Sequence, residues 1–151
     1  MHLSTIGAND ELYGLLQPYT ERGLVLGRVS VVHREQYRVY TSEGEMKAEA
    51  IGALLYRAVD SSDWPVVGDW VAAQIVGPGE AMIHAVLPRK TIFSRRAAGD
   101  REREQVIAAN IDLALVVCGL DRDFNLRRIE RYLILARESG ADAPPSQAQN
   151  N

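Results

Sequence analysis

Arg89, Lys90, Arg95 and Arg96 place four cationic side chains within eight residues, in the stretch RKTIFSRR. Thr91, Ile92 and Phe93 lie between them as an apolar and aromatic anchor. Cations beside a ring suit one kind of chemistry, the neutralisation of phosphate oxygens along a nucleic-acid backbone. Arg34 and Arg38 bring two further cations to a polar break between alternating apolar runs, where a loop is expected. These six residues are the candidate RNA-binding set. The competing reading makes the basic block a solvated connector between two structural units.

Other chemistries find less support. The chain has one cysteine, Cys118, in the run LVVCG, so it has no intrachain disulfide and no cysteine zinc site. It reads there as a small apolar residue of a buried strand. Three scattered histidines do not have the spacing of a metal site. Asp69 in GDW has no paired acid or histidine nearby and reads as fixing a turn or strand end. Trp70 alternates with Gly68 and Ala72 and reads as core, whereas Trp64, before Pro65, suits either a turn contact or base stacking. Asn110 and Asp112 read as capping and turn residues where the chain enters an apolar run. No catalytic residue, nucleotide-binding residue or metal ligand is assigned.

The hydrophobic period indicates the framework that carries these cations. The opening segment offers Asn9 or Asp10 as a helix cap before Leu12, Leu15 and Leu16, and Gly14 and Pro18 keep that helix short. From Leu24 the period becomes two, in LVLGRVSVVH, YRVYTSE, EMKAEAIGALLYR, VVGDWVAAQIV and AMIHAVLP. Turn signals fall at Arg34-Glu35-Gln36, Glu43-Gly44 and Gly77-Pro78-Gly79. Five short strands that must hide their edges predict an OB-type barrel. Beyond the basic block, REQVIAAN reads as a helical or irregular connector. IDLALVVCGL reads as a strand apolar on both faces, and FNLRRIERYLILARESG as a helix capped by Asn125 and closed by Gly140. The fold class expected is therefore an all-β five-stranded OB-type barrel followed by a partial α/β unit of one strand and one helix.

Bulk properties agree with a globular chain. Of 151 residues, 46% are hydrophobic and 25% charged, with a net charge of -3. The charge is uneven: about -5 over residues 1–88, about +4 over 89–103 and about -2 beyond. The first residues lack a basic region followed by an apolar run and no stretch approaches 18 apolar residues, so neither a signal peptide nor a membrane span is expected, and the single cysteine fits a reducing cytoplasm.

VVGDWV, then VLPRKTIFSRR, QVIAANIDLALVV and FNLRRIERYL, in that order, resemble the ribosome-small-subunit-dependent GTPase family. The resemblance runs from about Gly27 to Ala141. It implies an N-terminal OB domain, a circularly permuted GTPase domain and a C-terminal zinc domain, with GTP, magnesium and structural zinc as the family's cofactors. On this basis residues 1–23 form a short helical extension, 24–88 an OB-fold RNA-binding domain and 89–109 a basic linker. Residues 110–141 begin a permuted GTPase domain and 142–151 form a disordered tail. The expected partners are the small ribosomal subunit and its rRNA in the cytoplasm, with no membrane and no DNA.

The family's nucleotide motifs are missing from this sequence. It holds no G-x-x-x-x-G-K-[ST], no Asn-Lys-x-Asp and no Asp-x-x-Gly. The resemblance is thus to a member truncated before those motifs, needing no cofactor of its own. Three readings compete: the RNA-binding part of a ribosome-maturation GTPase, an autonomous OB module without nucleotide control, and an inert fragment. Phosphate binding of this kind requires a loop of backbone N–H groups, a lysine and a magnesium-bound hydroxyl. Titration of a labelled GTP analogue with magnesium is expected to show no saturable binding at micromolar protein; saturable, guanine-selective binding would overturn the motif argument.

Overall fold

A computed structural model of the chain describes residues 2–58, 63–96, 104–117 and 125–140. After a 3-10 turn at Leu3–Ile6, helix α1 spans Asp10–Thr20. Asn9 is its cap, with Oδ1 accepting from the Leu12 amide at 3.0 Å, and Asp10 and Glu11 occupy the first turn, where the helix dipole favours anions. The helix continues through Gly14 and Pro18, since a proline in the last turn disturbs only the final hydrogen bonds.

Strands β1 (Val25–His33), β2 (Gln36–Thr41), β3 (Gly44–Ala50), β4 (Trp70–Gly77) and β5 (Glu80–Val86) close into a barrel in the order β1-β2-β3-β5-β4. Every neighbouring pair is antiparallel except β3 with β5, which is parallel. This is the five-stranded OB-type barrel expected from the alternating runs. The inward positions Val29, Val39, Met46, Val71 and Ile83 fill its interior. A second apolar cluster lies outside it, where Leu12 and Leu16 of α1 meet Leu24, Leu26, Trp70 and Leu87. Their four-residue spacing puts both leucines of α1 on one face.

Three segments differ from the sequence reading. The run EMKAEAIGALLYR is not one strand: it leaves the sheet at Ala50 and forms helix α2, Gly52–Arg57. The Ile51 amide, bonded to the Ile83 carbonyl at 3.0 Å, is the last to join β5, and Leu54 then packs on the barrel core. The basic block and REQVIAAN are not a linker or a helical connector, because β6 (Ile92–Arg96) pairs antiparallel with β7 (Glu104–Ala109). In β7 Gln105 and Ile107 are exposed while Val106 and Ala108 are half-buried, a period of two that the short segment hides. Residues 111–117 carry no strand apart from a single bridge at Leu113. Helix α3, Leu126–Glu138, comes next, with Asn125 Oδ1 accepting from the Arg128 amide and Gly140 at φ 81 beyond its end, as expected. Cys118 and residues 142–151 lie outside the described residues.

The barrel is joined to the β6-β7 hairpin at a crowded point. Gly68 has φ 91, and a Cβ there would sit 2.0 Å from the Ala109 carbonyl oxygen, so only glycine fits. Beside it, the carboxylate of Asp69, fully buried, accepts from Arg89 Nε at 2.7 Å, from Arg89 Nη2 at 2.8 Å and from the Val66 amide at 2.8 Å. Burial pushes the Asp69 carboxyl up from its ordinary range, and the Arg89 fork and the Val66 amide oppose that shift.

Removing one partner of such a pair strands the other charge. Asp69→Ala is expected to cost about 3 to 5 kcal/mol in urea unfolding, and the double variant Asp69→Leu with Arg89→Met less than that single change. Leu113, Leu115 and Val117 are 51%, 74% and 92% exposed. Exposed backbone outside a regular strand exchanges quickly. Amides of residues 113–117 are therefore expected to exchange far faster than those of 71–75 in β4; equal protection in a monomer would mean that the segment has a sheet partner.

Candidate nucleic-acid interface

The β1-β2 hairpin turns through Arg34 and Glu35, with His33 paired to Gln36. A two-residue hairpin loop needs positive φ, usually supplied by glycine. Here Arg34 adopts it at φ 57, so an exposed guanidinium is kept at the tip at a cost of about 1 to 2 kcal/mol.

Below this tip the outer face of β2 and β3 presents long polar side chains. Arg38 is directly opposite Lys47 in the register, and Gln36 is opposite Glu49. With the β4-β5 turn they border a groove of about 460 Å³, walled by His33, Arg38, Lys47, Glu49, Val76 and Met82. The Arg38 Nη1 to Glu45 Oε2 contact of 2.9 Å is solvent-exposed, with side chains 52% and 36% accessible. An exposed pair contributes about 1 kcal/mol or less, so Arg38 can exchange Glu45 for a phosphate.

The other predicted cations lie elsewhere. The groove takes in the start of β5, at Glu80–Met82, while Arg89 and Lys90 come after its end. Seven residues of strand separate the two places by roughly 20 Å. Arg89 is held inside the Asp69 pair, and its Nη2 also donates to the Trp64 carbonyl at 2.8 Å. Lys90 Nζ reaches Glu11 Oε2 at 2.6 Å on the surface. Arg95 and Arg96 belong to β6, opposite Gln105 and Glu104, and their side chains lie outside the described residues. The six candidates therefore do not form one patch: Arg34 and Arg38 share a face with Lys47, and Arg89 and Lys90 flank the junction.

Asn110 organises that junction with all four of its polar groups. Its amide bonds the Thr91 carbonyl at 2.9 Å, and its carbonyl accepts from Arg28 Nη2 at 3.1 Å. Oδ1 accepts from the Lys90 amide at 2.9 Å, and Nδ2 donates to the Gly68 carbonyl at 3.1 Å. The turn role read from the sequence understates it, because those bonds span the barrel, the β5-β6 connector and β7. Asparagine also tolerates the φ of 53 found here. Arg28 lies 5.1 Å from the centre of the buried Trp70 ring and also bonds the Ile6 carbonyl. Burial lowers its pKa from the ordinary value, and Asp112 opposes the shift.

Sequence reasoning passes over Lys47, Arg28 and Arg22. Lys47 is detectable as an outward position in the alternation of β3; Arg28 and Arg22 meet their partners only through the fold. Among the described residues no three His, Cys, Asp or Glu side chains gather as metal ligands. His33 stands on the groove, and His84 lines a different cleft.

Comparison with known proteins bears on the whole arrangement. The family model described as RsgA GTPase matches residues 86–144. A protein of Opitutus terrae named small ribosomal subunit biogenesis GTPase RsgA is 45% identical over 150 residues, covering 93% of this chain and 41% of its own length. The protein of that name from Syntrophotalea carbinolica is 38% identical, with 93% and 40% covered. Among solved structures, YjeQ from Thermotoga maritima has a TM-score of 0.56 at 22% identity, over 80% of this chain and 39% of that one. YloQ, described as a circularly permuted GTPase, has a TM-score of 0.54 at 18% identity, with the same shares covered. The structural likeness speaks for the fold, and the sequence identity carries the relationship: spanning about two-fifths of the length of these curated relatives, the chain belongs to the RsgA GTPase family.

Proposed function

We propose that this chain is the rRNA-binding portion of a factor acting in late maturation of the small ribosomal subunit, working in the cytoplasm with that subunit as partner. The observation that carries the reading is the outer face of β2 and β3, where Arg38 and Lys47 stand side by side in a groove beneath the Arg34 hairpin tip. OB barrels bind nucleic acid on this face and with the loops that border it. The names of the relatives support the partner class.

The contacts are of the phosphate type. The face offers guanidinium and ammonium groups rather than exposed rings: Tyr37 is buried and Tyr40 half-buried. Such contacts position a protein on RNA without reading its sequence. The second cationic contact of this reading comprises Arg95 and Arg96 at the end of β6 and Lys90 in the connector before it. Arg89 acts indirectly, holding the connector in place through Asp69. GTP hydrolysis is the activity in the relatives' name, and the residues of this chain do not supply the phosphate loop, magnesium ligands or zinc ligands that it needs, so no hydrolytic step is assigned to it.

Phosphate contacts release counterions, so they have a measurable signature. Arg34→Glu with Arg38→Glu, and separately Arg95→Glu with Arg96→Glu, are expected to weaken binding to isolated small subunits. Each lost contact should flatten the log-log salt dependence by roughly 0.7 to 0.9. Arg89 is left intact because its loss would unfold the junction. Unchanged affinity and slope in the Arg95 and Arg96 variant would return the basic block to a structural role, and unchanged binding in both variants would remove the RNA reading.

A further inference from the structure

A second cavity, larger than the groove, opens between the end of α1, helix α2 and strand β5. It measures about 720 Å³, within the range of about 300 to 1,000 Å³ common for small-molecule sites. Leu54, Val86, Leu87, Pro88 and Ile92 supply its apolar wall. Its polar side is built on a relay. Gln74 Oε1 lies 3.0 Å from His84 Nε2, which places the imidazole proton on Nε2 and leaves the Nδ1 lone pair free. Arg22 Nη2 approaches that lone pair at 3.5 Å. The guanidinium and the ring both line the cavity, and the ring is the polar neighbour of Arg22 there. Burial, and then the charge of Arg22, hold the His84 pKa below its ordinary value, consistent with a neutral ring. Among the described residues Arg22 has no ion pair, although Asp63 lines the same cavity.

We infer that this cleft binds a nucleoside phosphate, with the base on the apolar wall of Leu54, Val86, Leu87 and Pro88 and the phosphate on the guanidinium of Arg22. The pairing of an apolar wall with a cation that has no ion pair among the described residues fits this ligand better than a fatty or a purely ionic one. Trp64, 38% exposed, belongs to the same corner: Arg89, which lines the cavity, donates to its carbonyl. With Arg89 committed to Asp69, Arg22 is the cation left for phosphate, and the site binds a mononucleotide with a Kd on the order of a millimolar, well above the micromolar range of the GTP-analogue titration. The source of the ligand is either an unpaired nucleotide of an RNA strand or a free mononucleotide. The RNA source rests on the function proposed above, and the cleft is separate from the β2-β3 face that carries that function.

The full chain, followed by NMR signals of the His84 ring and the Arg22 side chain, tests this with three probes: a six-nucleotide single-stranded RNA, adenosine monophosphate and inorganic phosphate. Saturable shifts with the RNA or the mononucleotide are expected, at least about tenfold tighter than with phosphate alone. Arg22→Gln should weaken that binding by roughly tenfold, as the loss of one charge-assisted contact does. Ala53→Trp, at an exposed position of α2 lining the cleft, should block it while leaving the melting temperature near that of the parent. Both variants should bind small subunits through the Arg38 face as before. Response to the mononucleotide but not to the RNA would support the site and assign it to free nucleotide. Equal affinity for phosphate and mononucleotide, or unchanged binding in both variants, would overturn it. Loss of subunit binding in Arg38→Glu alone would show that this failure belongs to the cleft and not to the RNA reading.

Discussion

The parallel pairing of β3 with β5 is the constraint on which the remaining arrangement depends. Four antiparallel pairings, three of them hairpins, make an open ribbon; the register of Lys47 with Glu80 through Ala50 with Ile83 closes it. A parallel pair cannot be joined by a tight turn, so the chain must leave β3 and return through β4 before β5 can form. That excursion contains α2, whose Leu54 covers the barrel core, and the 63–69 segment, whose Asp69 receives Arg89. Both clefts result from it. The groove lies where β3 and β5 run together beneath the β1-β2 tip, and the larger cavity lies where α2 stands off the far end of β5.

Closure leaves the barrel without an edge, so the chain beyond β5 has to be attached by other means. The attachment is polar and specific. Asn110, Thr91, Gly68 and Arg28 tie β7 and the connector to β1 and β4 through hydrogen bonds to backbone carbonyls and amides. Thr91 contributes twice, its hydroxyl donating to the Ile111 carbonyl at 2.9 Å and accepting from the Ile111 amide at 2.7 Å. Such a junction fixes orientation more than it adds stability, because each neutral bond nets about 0.5 to 1.5 kcal/mol. The Asp69-Arg89 pair acts in the same sense. Its burial is offset by three donors, and what it secures is the path of the chain out of the barrel.

How much of this can be read from the sequence depends on the range of the interactions. The alternation from Leu24 onward specifies the barrel because one face of each strand is buried, and the turn signals at Arg34 and Gly79 fix its hairpins. Asn9 and Asn125 are legible as caps because capping is local. Helix α2 is hidden because six residues hold less than two turns, too few for a period to emerge. The β6-β7 hairpin is hidden because its pairing is a matter of register rather than of composition. The candidate cations are legible as residue types but not as a site. Arg38 and Arg89 look alike in sequence, yet one is exposed over a groove and the other is committed to a buried carboxylate 20 positions away.

The contrast between those two arginines is one of burial: the Asp69 partner of Arg89 is fully buried, and the Glu45 partner of Arg38 is exposed. An arginine whose guanidinium is matched by a buried carboxylate has its field cancelled locally and is a poor phosphate ligand, since binding would have to break a desolvated pair. An arginine facing an exposed glutamate or a neutral imidazole keeps its field. Arg89 belongs to the first class, and Arg38 and Arg22 to the second. The chain as a whole is acidic, so attraction to a polyanion cannot come from net charge and must arise at such local points. The barrel therefore carries exposed cations on the β2-β3 face and at the opposite end of β5, two separated places on an acidic background. Under the function proposed above, separated contacts on a repelling surface would favour a partner that reaches both, and an acidic chain would prefer a shaped RNA to an arbitrary strand.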